Sequence, residues 1–320
     1  MVNIVVTLRG RLDKYALFLD HLVQRVLPTD QNLSLTIIYF ADAHTLEAKE
    51  MTRSKLGTIP KFHWSFVPLE DENFSRGKGL HVGAQTINHK SAEESKQGSR
   101  QSGNEILFFC DVDVLMHPNF FDHCRSNTLQ GHQVYYPVVF SLYNPKLVYP
   151  LFDKGVPGVD GQLTISDESG FWRVFGFGMT CMYSSDYEAS GGFPDIKTWG
   201  GEDEALYEKF LQMKNIKVLR SPDPSLFHLY HQKECLDITS TSYPACLKSK
   251  ALTEGSQLQL GLALLKLHEG IDMEGILSKR PAPYFSEVEG DSSGPTNIDV
   301  RKDTTQEKVI ITPQWLFSKN

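Results

Sequence analysis

The sequence lacks any run of about eighteen or more apolar residues, which is the length that a helix needs to cross a membrane. It also lacks a secretory signal peptide at its start, because Met1 leads directly into residues 2–6, a run typical of a β-strand. We therefore predict no transmembrane segment in this chain. We expect either a protein without a membrane anchor or the catalytic part of a protein whose targeting segment is missing here.

Cysteine is scarce, and basic residues are outnumbered by acidic ones. Five cysteines in 320 residues are too few for a disulfide scaffold, and the odd number leaves at least one thiol unpaired within the chain. Cys110 lies in an apolar run and is predicted to be a buried thiol, whereas a short bridge between Cys235 and Cys246 fits their polar surroundings. The net charge of −7 argues against a nucleic-acid partner but allows a local site for a small anion.

The first half of the chain alternates between predicted strands and predicted helices. Apolar, β-branched runs predict strands at residues 2–7, 33–40, 62–69 and 105–110. An apolar stripe predicts one helix over residues 12–26, and a second is predicted over 78–88. This order predicts an α/β fold, with a Rossmann-like, mostly parallel central sheet flanked by helices. Ligands of such sheets gather beyond the carboxyl ends of the strands.

The remaining segments are less regular. Residues 89–104 are polar and rich in Ser, Gln and Gly, and we interpret them as an inserted surface loop. A helix is predicted from about Glu202 to Met213. Periodicity is lost from about Gly270 onward, so we predict a C-terminal tail that is partly disordered.

Two acids, Asp111 and Asp113, follow the apolar strand that ends at Cys110. An ionised carboxylate at the end of a buried strand costs free energy unless water or a cation contacts it. A hard divalent cation takes oxygen ligands and also binds phosphate oxygens, so the triplet suits a metal–diphosphate site. Taken alone, the pair fits equally well a strand end that turns into solvent.

Three consecutive acids at Glu202–Glu204 follow Trp199 and two glycines and open a predicted helix. Acids in the first turn of a helix are typical of capping against the positive end of the macrodipole. The preceding glycines also indicate a ligand site, because Gly201 lets the backbone approach a ligand. In such a site Trp199 offers a flat face for a sugar ring, and a carboxylate can act as a general base.

His228 and His231 form an H-x-x-H pair that could share a metal ion, although most such pairs are structural. The zincin spacing and its Glu are absent, which argues against a metalloprotease. Basic residues also follow the first strand and precede the second helix; these are Arg9, Arg11, Arg76 and Lys78. The last two lie in a turn that could contact phosphate, but the P-loop spacing is missing.

Taken in order, these motifs resemble the chondroitin N-acetylgalactosaminyltransferases, part of the β1,4-galactosyltransferase-like group with the GT-A fold. The matching stretches are FSRGKGLHVGA at 74–84, FFCDVDV at 108–114, YYPVVFSLYNP at 135–145, GFWRVFGFGMTC at 170–181, GGFPDIKTWGGEDEALYEKF at 191–210 and LFHLYHQKEC at 226–235. They cover roughly residues 2–268. We therefore predict a catalytic domain over 1–268, which contains the insertion, and a tail over 269–320.

The resemblance implies a metal site and a catalytic base. Asp113 and His231 match ligands of Mn²⁺ or another divalent cation, and His228 matches a position where galactosyltransferases have Met. Asp203 matches the base that takes the proton of the acceptor hydroxyl.

Substrate-binding positions are implied as well. Glu202 and Glu204 would line the acceptor site, and Trp199 with Gly201 would belong to a mobile loop over the donor. Arg9, Arg11 and Arg76 match positions near the nucleotide, and Asp111 would support the ribose or a metal-bound water. Lys78 is predicted to bind the substrate from its place in the basic turn.

The implied reaction is the inverting transfer of GalNAc from UDP-GalNAc to a glucuronic acid end of chondroitin or its linkage region. The implied partners are a UDP-sugar donor, a glycosaminoglycan or proteoglycan acceptor and other chondroitin-synthesising enzymes, and the implied location is the Golgi. One alternative is a chondroitin synthase-like or galactosyltransferase-like hexosyltransferase with another donor. Another is an inactive carbohydrate-binding relative, which would lack a key residue; Asp113, Asp203 and His231 are all present.

Overall fold

The computed structural model describes residues 1–71, 73–96, 104–152, 154–194, 200–235, 238–239 and 243–270. Across these ranges, every helix is too short or too polar to span a membrane. The tail from residue 271 lies outside the described residues, so the domain division near residue 268 and the disorder of the tail stay predictions.

The first half of the chain forms the parallel part of a nine-stranded sheet, in the order β3-β2-β1-β4. These strands are β1 (Val2–Leu8), β2 (Leu33–Phe40), β3 (His63–Leu69) and β4 (Ile106–Cys110). Their bounds lie within one residue of the predicted ones. Val6 of β1 pairs with Cys110 of β4, so the carboxyl ends of the two central strands lie side by side.

The second half of the chain extends the sheet from β4 in the order β8-β6-β9-β5, and β7 pairs with β6. These strands are β5 (Val114–Met116), β6 (Gln133–Leu142), β7 (Gly170–Trp172), β8 (Thr180–Tyr183) and β9 (Lys217–His228). Strands β6 and β9 are parallel to each other, whereas β5, β7 and β8 run in the opposite direction to their neighbours. Six of the nine strands thus share one direction, which confirms the predicted mostly parallel α/β fold class.

Helices cover both faces of this sheet. They are α1 (Leu12–His21), which continues as a π-helical turn (Leu22–Val26), α2 (Thr45–Leu56), α3 (Arg76–Lys96), α4 (Phe120–Ser126), α5 (Pro145–Leu151), α6 (Val159–Gln162), α7 (Ser184–Ala189), α8 (Glu202–Gln212), α9 (Tyr243–Glu254) and α10 (Gln257–Glu269). Along β1, Ile4 and Val6 pack with α1, α2 and α4, whereas Val5 packs with α3 and α8. This alternation divides the core into two apolar layers, one on each face of the sheet.

Helix α3 corrects one prediction. The loop predicted over residues 89–104 is wrong for residues 89–96, because α3 continues to Lys96. This stretch contains Ala, Glu and Lys, which have high helix propensity, so its composition fits a helix as well as a loop. Residues 97–103 lie outside the described residues.

The cysteines form two disulfides and leave one buried thiol. Cys235 pairs with Cys246, and Cys110 is buried and unpaired, as predicted. Cys124 on α4 also pairs with Cys181 on β8, which the sequence did not indicate. This second bridge ties a helix of one core layer to the strand beside β4.

Removing the bridge between Cys124 and Cys181 is expected to destabilise the protein more than removing the shorter bridge. Because 57 residues separate these cysteines, the Cys124→Ala/Cys181→Ala variant should lose about 4 kcal/mol of unfolding free energy in the chain-entropy estimate. The Cys235→Ala/Cys246→Ala variant, with a separation of 11, should lose about 3 kcal/mol. Urea unfolding measures both losses, and a wild-type midpoint for the first variant would contradict the predicted constraint.

Candidate metal centre and active site

The candidate metal centre lies where β4 ends and β5 begins. Asp111 and Asp113 follow β4 directly, and β5 pairs with the last residues of β9. The pairing places Val114 opposite His228, and the backbone N–H of Leu229 donates to the carbonyl oxygen of Asp113 at 2.8 Å. Residues more than a hundred positions apart in the sequence are thus joined by backbone hydrogen bonds.

Three side chains converge at this point. Nε2 of His231 lies 3.3 Å from Oδ2 of Asp113, and Nε2 of His228 lies 3.8 Å from Oδ1. One ligand atom of each residue lies within 4.8 Å of those of the other two. The structure therefore brings together the three predicted metal-ligating residues.

This donor set fits a divalent cation. Asp113 is only 3% exposed, and its Oδ1 is buried without a hydrogen-bond partner among the described residues. An unsatisfied buried carboxylate oxygen is costly, and a cation removes that cost. One carboxylate and two imidazoles are also ligands that transition-metal ions accept.

The charge states of both imidazoles suit the same role. Burial lowers the pKa of His228 well below its usual value, and Arg173 and His231 act in the same direction. Burial also lowers the pKa of His231, although the charge of Asp113 opposes this shift. A neutral imidazole keeps the lone pair that a metal ion requires.

Arginines from two other elements reach the paired acids. Arg11, in the loop between β1 and α1, places Nη1 3.2 Å from Oδ2 of Asp113, and Arg9 lies two residues earlier in this loop. Arg76, the first residue of α3, donates from Nε to Oδ1 of Asp111 at 2.6 Å. Positive charge therefore surrounds the carboxyl ends of the central strands.

Arg76 also connects the two acidic motifs. Its Nη2 donates to the carbonyl oxygen of Gly178 at 2.7 Å, and its Nη1 lies 3.6 Å from Oε1 of Glu202. Burial opposes the charged form of Arg76, but Asp111 and Glu202 together outweigh it and raise its pKa. Arg76 therefore holds the strand end and the start of α8 together, a role that its spacing in the sequence did not indicate.

Replacing Arg76 with Met is expected to lower the unfolding free energy by about 3 kcal/mol, because two buried or half-buried carboxylates lose their cation. Arg53→Met is the matched control, since Arg53 is 71% exposed and pairs with Glu50 on the surface of α2. This control should lose less than about 1 kcal/mol. Equal unfolding midpoints for the two variants would contradict the bridging role of Arg76.

The second acidic motif opens α8. Gly200 and Gly201 have φ values of 83° and 90°, a conformation that favours glycine, so the two glycines allow a sharp turn into the helix. Glu202 is buried against Arg76; burial raises the pKa of Glu202, and Arg76 opposes that shift. Glu204 is exposed. Trp199 lies outside the described residues.

Asp203 is held by backbone donors. Its Oδ2 accepts from the N–H of Phe177 at 3.2 Å, and its Oδ1 accepts from the N–H of Glu204 at 3.0 Å. Asp203 is half-buried at the first turn of α8. Its carboxylate is thus fixed in place while remaining in partial contact with solvent.

The aromatic–glycine stretch at residues 170–178 is held by Arg220, a residue that the sequence analysis did not identify. Arg220 on β9 lies 4.3 Å above the ring of Phe177 and donates to the carbonyl oxygens of Val174 and Gly176 at 2.6 and 2.9 Å. It therefore holds the loop whose backbone contacts Asp203. In the sequence Arg220 is a single arginine on a strand more than forty residues from this stretch, and nothing in its local pattern indicates the contact.

Lys78 takes a position separate from these contacts. It forms an ion pair with Asp71, which follows β3 at the same edge of the sheet. The structure therefore places Lys78 near the carboxyl ends of the strands.

Comparison with known proteins identifies relatives of this chain. The family described as Chondroitin N-acetylgalactosaminyltransferase matches residues 1–260. Human chondroitin sulfate N-acetylgalactosaminyltransferase 1 is 41% identical over 271 residues, covering 84% of this chain and 48% of the relative. Mouse chondroitin sulfate N-acetylgalactosaminyltransferase 2 is 39% identical over 292 residues, covering 91% and 50%.

A synthase is also similar. Human chondroitin sulfate synthase 3 is 35% identical over 283 residues, covering 87% of this chain and 30% of the relative. The chain thus spans about half the length of the two transferases and less than a third of the synthase.

Proposed function

The chain belongs to the chondroitin N-acetylgalactosaminyltransferase family, and we propose that it transfers GalNAc from UDP-GalNAc to a glucuronic acid end of chondroitin or of its linkage region. The family predicted from the sequence motifs is therefore confirmed. The main support for the proposal is that Asp113, His228 and His231 converge at one edge of the sheet. Arg76 links the start of α8 to the same edge.

The three converging residues would hold Mn²⁺ or another divalent cation. When bound, such a cation offsets the negative charge that develops on UDP as it leaves. Arg11 and Arg76 supply further positive charge at the same sheet edge, and Arg9 and Lys78 lie near it. Preorganised cations of this kind stabilise a leaving diphosphate without reorganisation during the reaction.

Asp203 is proposed as the general base that takes the proton from the acceptor hydroxyl. The N–H groups of Phe177 and Glu204 orient its carboxylate, which is the geometric requirement for proton transfer. The hydroxyl oxygen then attacks the anomeric carbon from the face opposite UDP. Inversion of an α-linked donor would give a β-linked product, the family resemblance implies that the 4-hydroxyl of the acceptor attacks, and no covalent enzyme intermediate would form.

The other predicted residues are assigned around these two centres. Asp111 would support the ribose or the metal site, and it is held by Arg76. Glu204 is exposed and available to line the acceptor site, whereas Glu202 is buried and would contribute through Arg76. Trp199 with Gly201 would close over the donor.

The cellular setting is proposed from the family. Membership favours the Golgi lumen or cisternal membrane, and association with other chondroitin-synthesising enzymes. Two disulfides fit an oxidising compartment of the secretory route.

A second candidate is a synthase-like transferase that uses another donor. The 35% identity to human chondroitin sulfate synthase 3 supports this second candidate. The 41% identity to human chondroitin sulfate N-acetylgalactosaminyltransferase 1 favours the GalNAc donor over it.

A donor panel separates the two candidates. Purified protein with Mn²⁺ is incubated with UDP-GalNAc, UDP-galactose or UDP-glucuronate, each with chondroitin oligosaccharides that end in glucuronate or in GalNAc. We expect GalNAc to be added to the glucuronate-ended acceptor, with a β linkage seen by NMR. Transfer of galactose or glucuronate without transfer of GalNAc would refute the proposed donor.

A further inference from the structure

A hydrogen-bonded chain leads from the half-buried Arg173 to the candidate metal centre. Nη2 of Arg173 donates to Oγ of Ser141 at 2.7 Å, and this oxygen lies 3.4 Å from Nδ1 of His228. Nε2, on the other side of the same imidazole, faces Oδ1 of Asp113 at 3.8 Å. The imidazole of His228 thus lies between a serine hydroxyl and the carboxylate of the metal centre.

The sheet itself maintains the contact between Ser141 and His228. Ser141 is fully buried on β6, His228 is buried at the end of β9, and the two residues are register partners in the parallel pair. Because both residues lie within paired strands, the backbone is not free to move when either side chain is replaced. The strand pairing therefore fixes the hydroxyl of Ser141 beside His228 in the interior of the protein.

The tautomer of His228 decides whether it can act as a ligand. A neutral imidazole carries one ring proton, and Nε2 offers a lone pair toward Asp113 only when the proton is on Nδ1. An Nδ1–H group needs an acceptor, and Oγ of Ser141 lies at that position. Metal-ligating histidines commonly donate their second ring N–H in this way, which also fixes the ring orientation.

Arg173 holds the serine oxygen in place. The guanidinium of Arg173 lies 5.9 Å from the ring centroid of Phe171 and 5.7 Å from that of Phe175. The aromatic stretch thus immobilises the arginine by cation–π contacts. The N–H of Arg173 occupies one lone pair of Oγ and leaves the second for His228.

We propose that Ser141 is a positioning residue for metal binding. Its hydroxyl oxygen accepts a hydrogen bond from Nδ1–H of His228 and so keeps the unprotonated Nε2 of this histidine directed toward Asp113. Arg173 acts through Ser141 by fixing its hydroxyl oxygen. This inference rests on the metal site of the proposed function, and it gives roles to two residues, Ser141 and Arg173, to which the sequence motifs assigned none. It also explains why a polar side chain is placed inside the apolar surroundings of β6.

The test is a titration of the full chain with Mn²⁺ alone, in which electron paramagnetic resonance measures the free ion. Ser141→Ala should bind Mn²⁺ about 10–100-fold more weakly than the wild-type protein, the usual cost of losing such an outer contact. Ser184→Ala is the matched control, because Ser184 is also a fully buried serine but lies at the start of α7. This control should bind Mn²⁺ with wild-type affinity.

Asp113→Asn is a second variant, which tests the metal site independently of Ser141. Weak binding by Asp113→Asn with wild-type binding by Ser141→Ala would overturn the role of Ser141 alone. Wild-type binding by Asp113→Asn would overturn the metal site itself, and the inference with it.

A spectroscopic measurement on the wild-type protein needs no variant to fold. The ¹⁵N chemical shifts of the imidazole of His228 report its tautomer, and we expect the Nδ1–H form when the protein is saturated with Mg²⁺, a diamagnetic divalent cation. A dominant Nε2–H form in the Mg²⁺-saturated protein would overturn the proposal.

Discussion

Asp203→Asn is expected to lower kcat for GalNAc transfer by about 10²–10⁴-fold, the usual contribution of a positioned general base. The amide keeps nearly the same shape but cannot take the proton of the acceptor hydroxyl. The N–H groups of Phe177 and Glu204 bond to different carboxylate oxygens, and the single oxygen of asparagine can accept from only one of them, so we expect a loss of about 1 kcal/mol in unfolding free energy without loss of the fold. KM for UDP-GalNAc should stay near its wild-type value.

Glu208→Gln is the control for this change. Glu208 is exposed on the same helix, one and a half turns beyond Asp203, and its replacement also removes one negative charge. Steady-state kinetics of both variants should show whether kcat falls because a general base is lost or because any negative charge on α8 is lost. Full transfer activity in Asp203→Asn would show that another group accepts the proton.

Asp113→Asn is the second change with a large expected effect. It should reduce Mn²⁺ affinity by at least about 10²-fold, because loss of an outer contact to a ligand already costs 10–100-fold. Transfer activity at a fixed Mn²⁺ concentration should fall with it. Excess Mn²⁺ should restore part of the activity, because His228 and His231 remain in place.

Asp122→Asn is the control for the metal centre. Asp122 lies on α4, is 80% exposed and pairs with Arg125 on the protein surface, away from Asp113. This variant should keep wild-type Mn²⁺ affinity and activity. Equal losses in the two aspartate variants would place the metal dependence outside the centre at Asp113.

The parts of the fold that follow from local pattern were predictable from the sequence. Strands β1, β2 and β4 are short apolar runs, and their alternation with helices implies a parallel sheet. The position of Asp111 and Asp113 at a strand end was visible for the same reason. What the sequence alone left open was whether these acids meet a cation or solvent.

Contacts that depend on strand register were not predictable from local pattern, and the grouping of Asp113, His228 and His231 was expected only from the family resemblance. The pairing of β5 with β9 brings His228 to Asp113, and the pairing of β6 with β9 brings Ser141 to His228. No local pattern encodes a partner about ninety or more residues away. The disulfide between Cys124 and Cys181 was missed for the same reason, since it joins α4 to β8.

Arg76 shows how the structure changes the interpretation of a motif. In the sequence it belongs to a basic turn that suits phosphate. In the structure it pairs with both Asp111 and Glu202 and so joins the metal centre to the helix that carries the proposed base. A substitution at Arg76 is therefore expected to affect stability as well as donor binding.

The most direct test of the proposed function is a GalNAc-transfer assay run through one cycle of metal removal and return. Wild-type protein is incubated with UDP-GalNAc and a glucuronate-ended chondroitin oligosaccharide, first with Mn²⁺, then with a chelator in excess, and then with Mn²⁺ restored. The proposed function predicts a GalNAc-extended product in the first and third stages and none in the second. Transfer that continues undiminished under the chelator, or no GalNAc transfer at any stage, would contradict it.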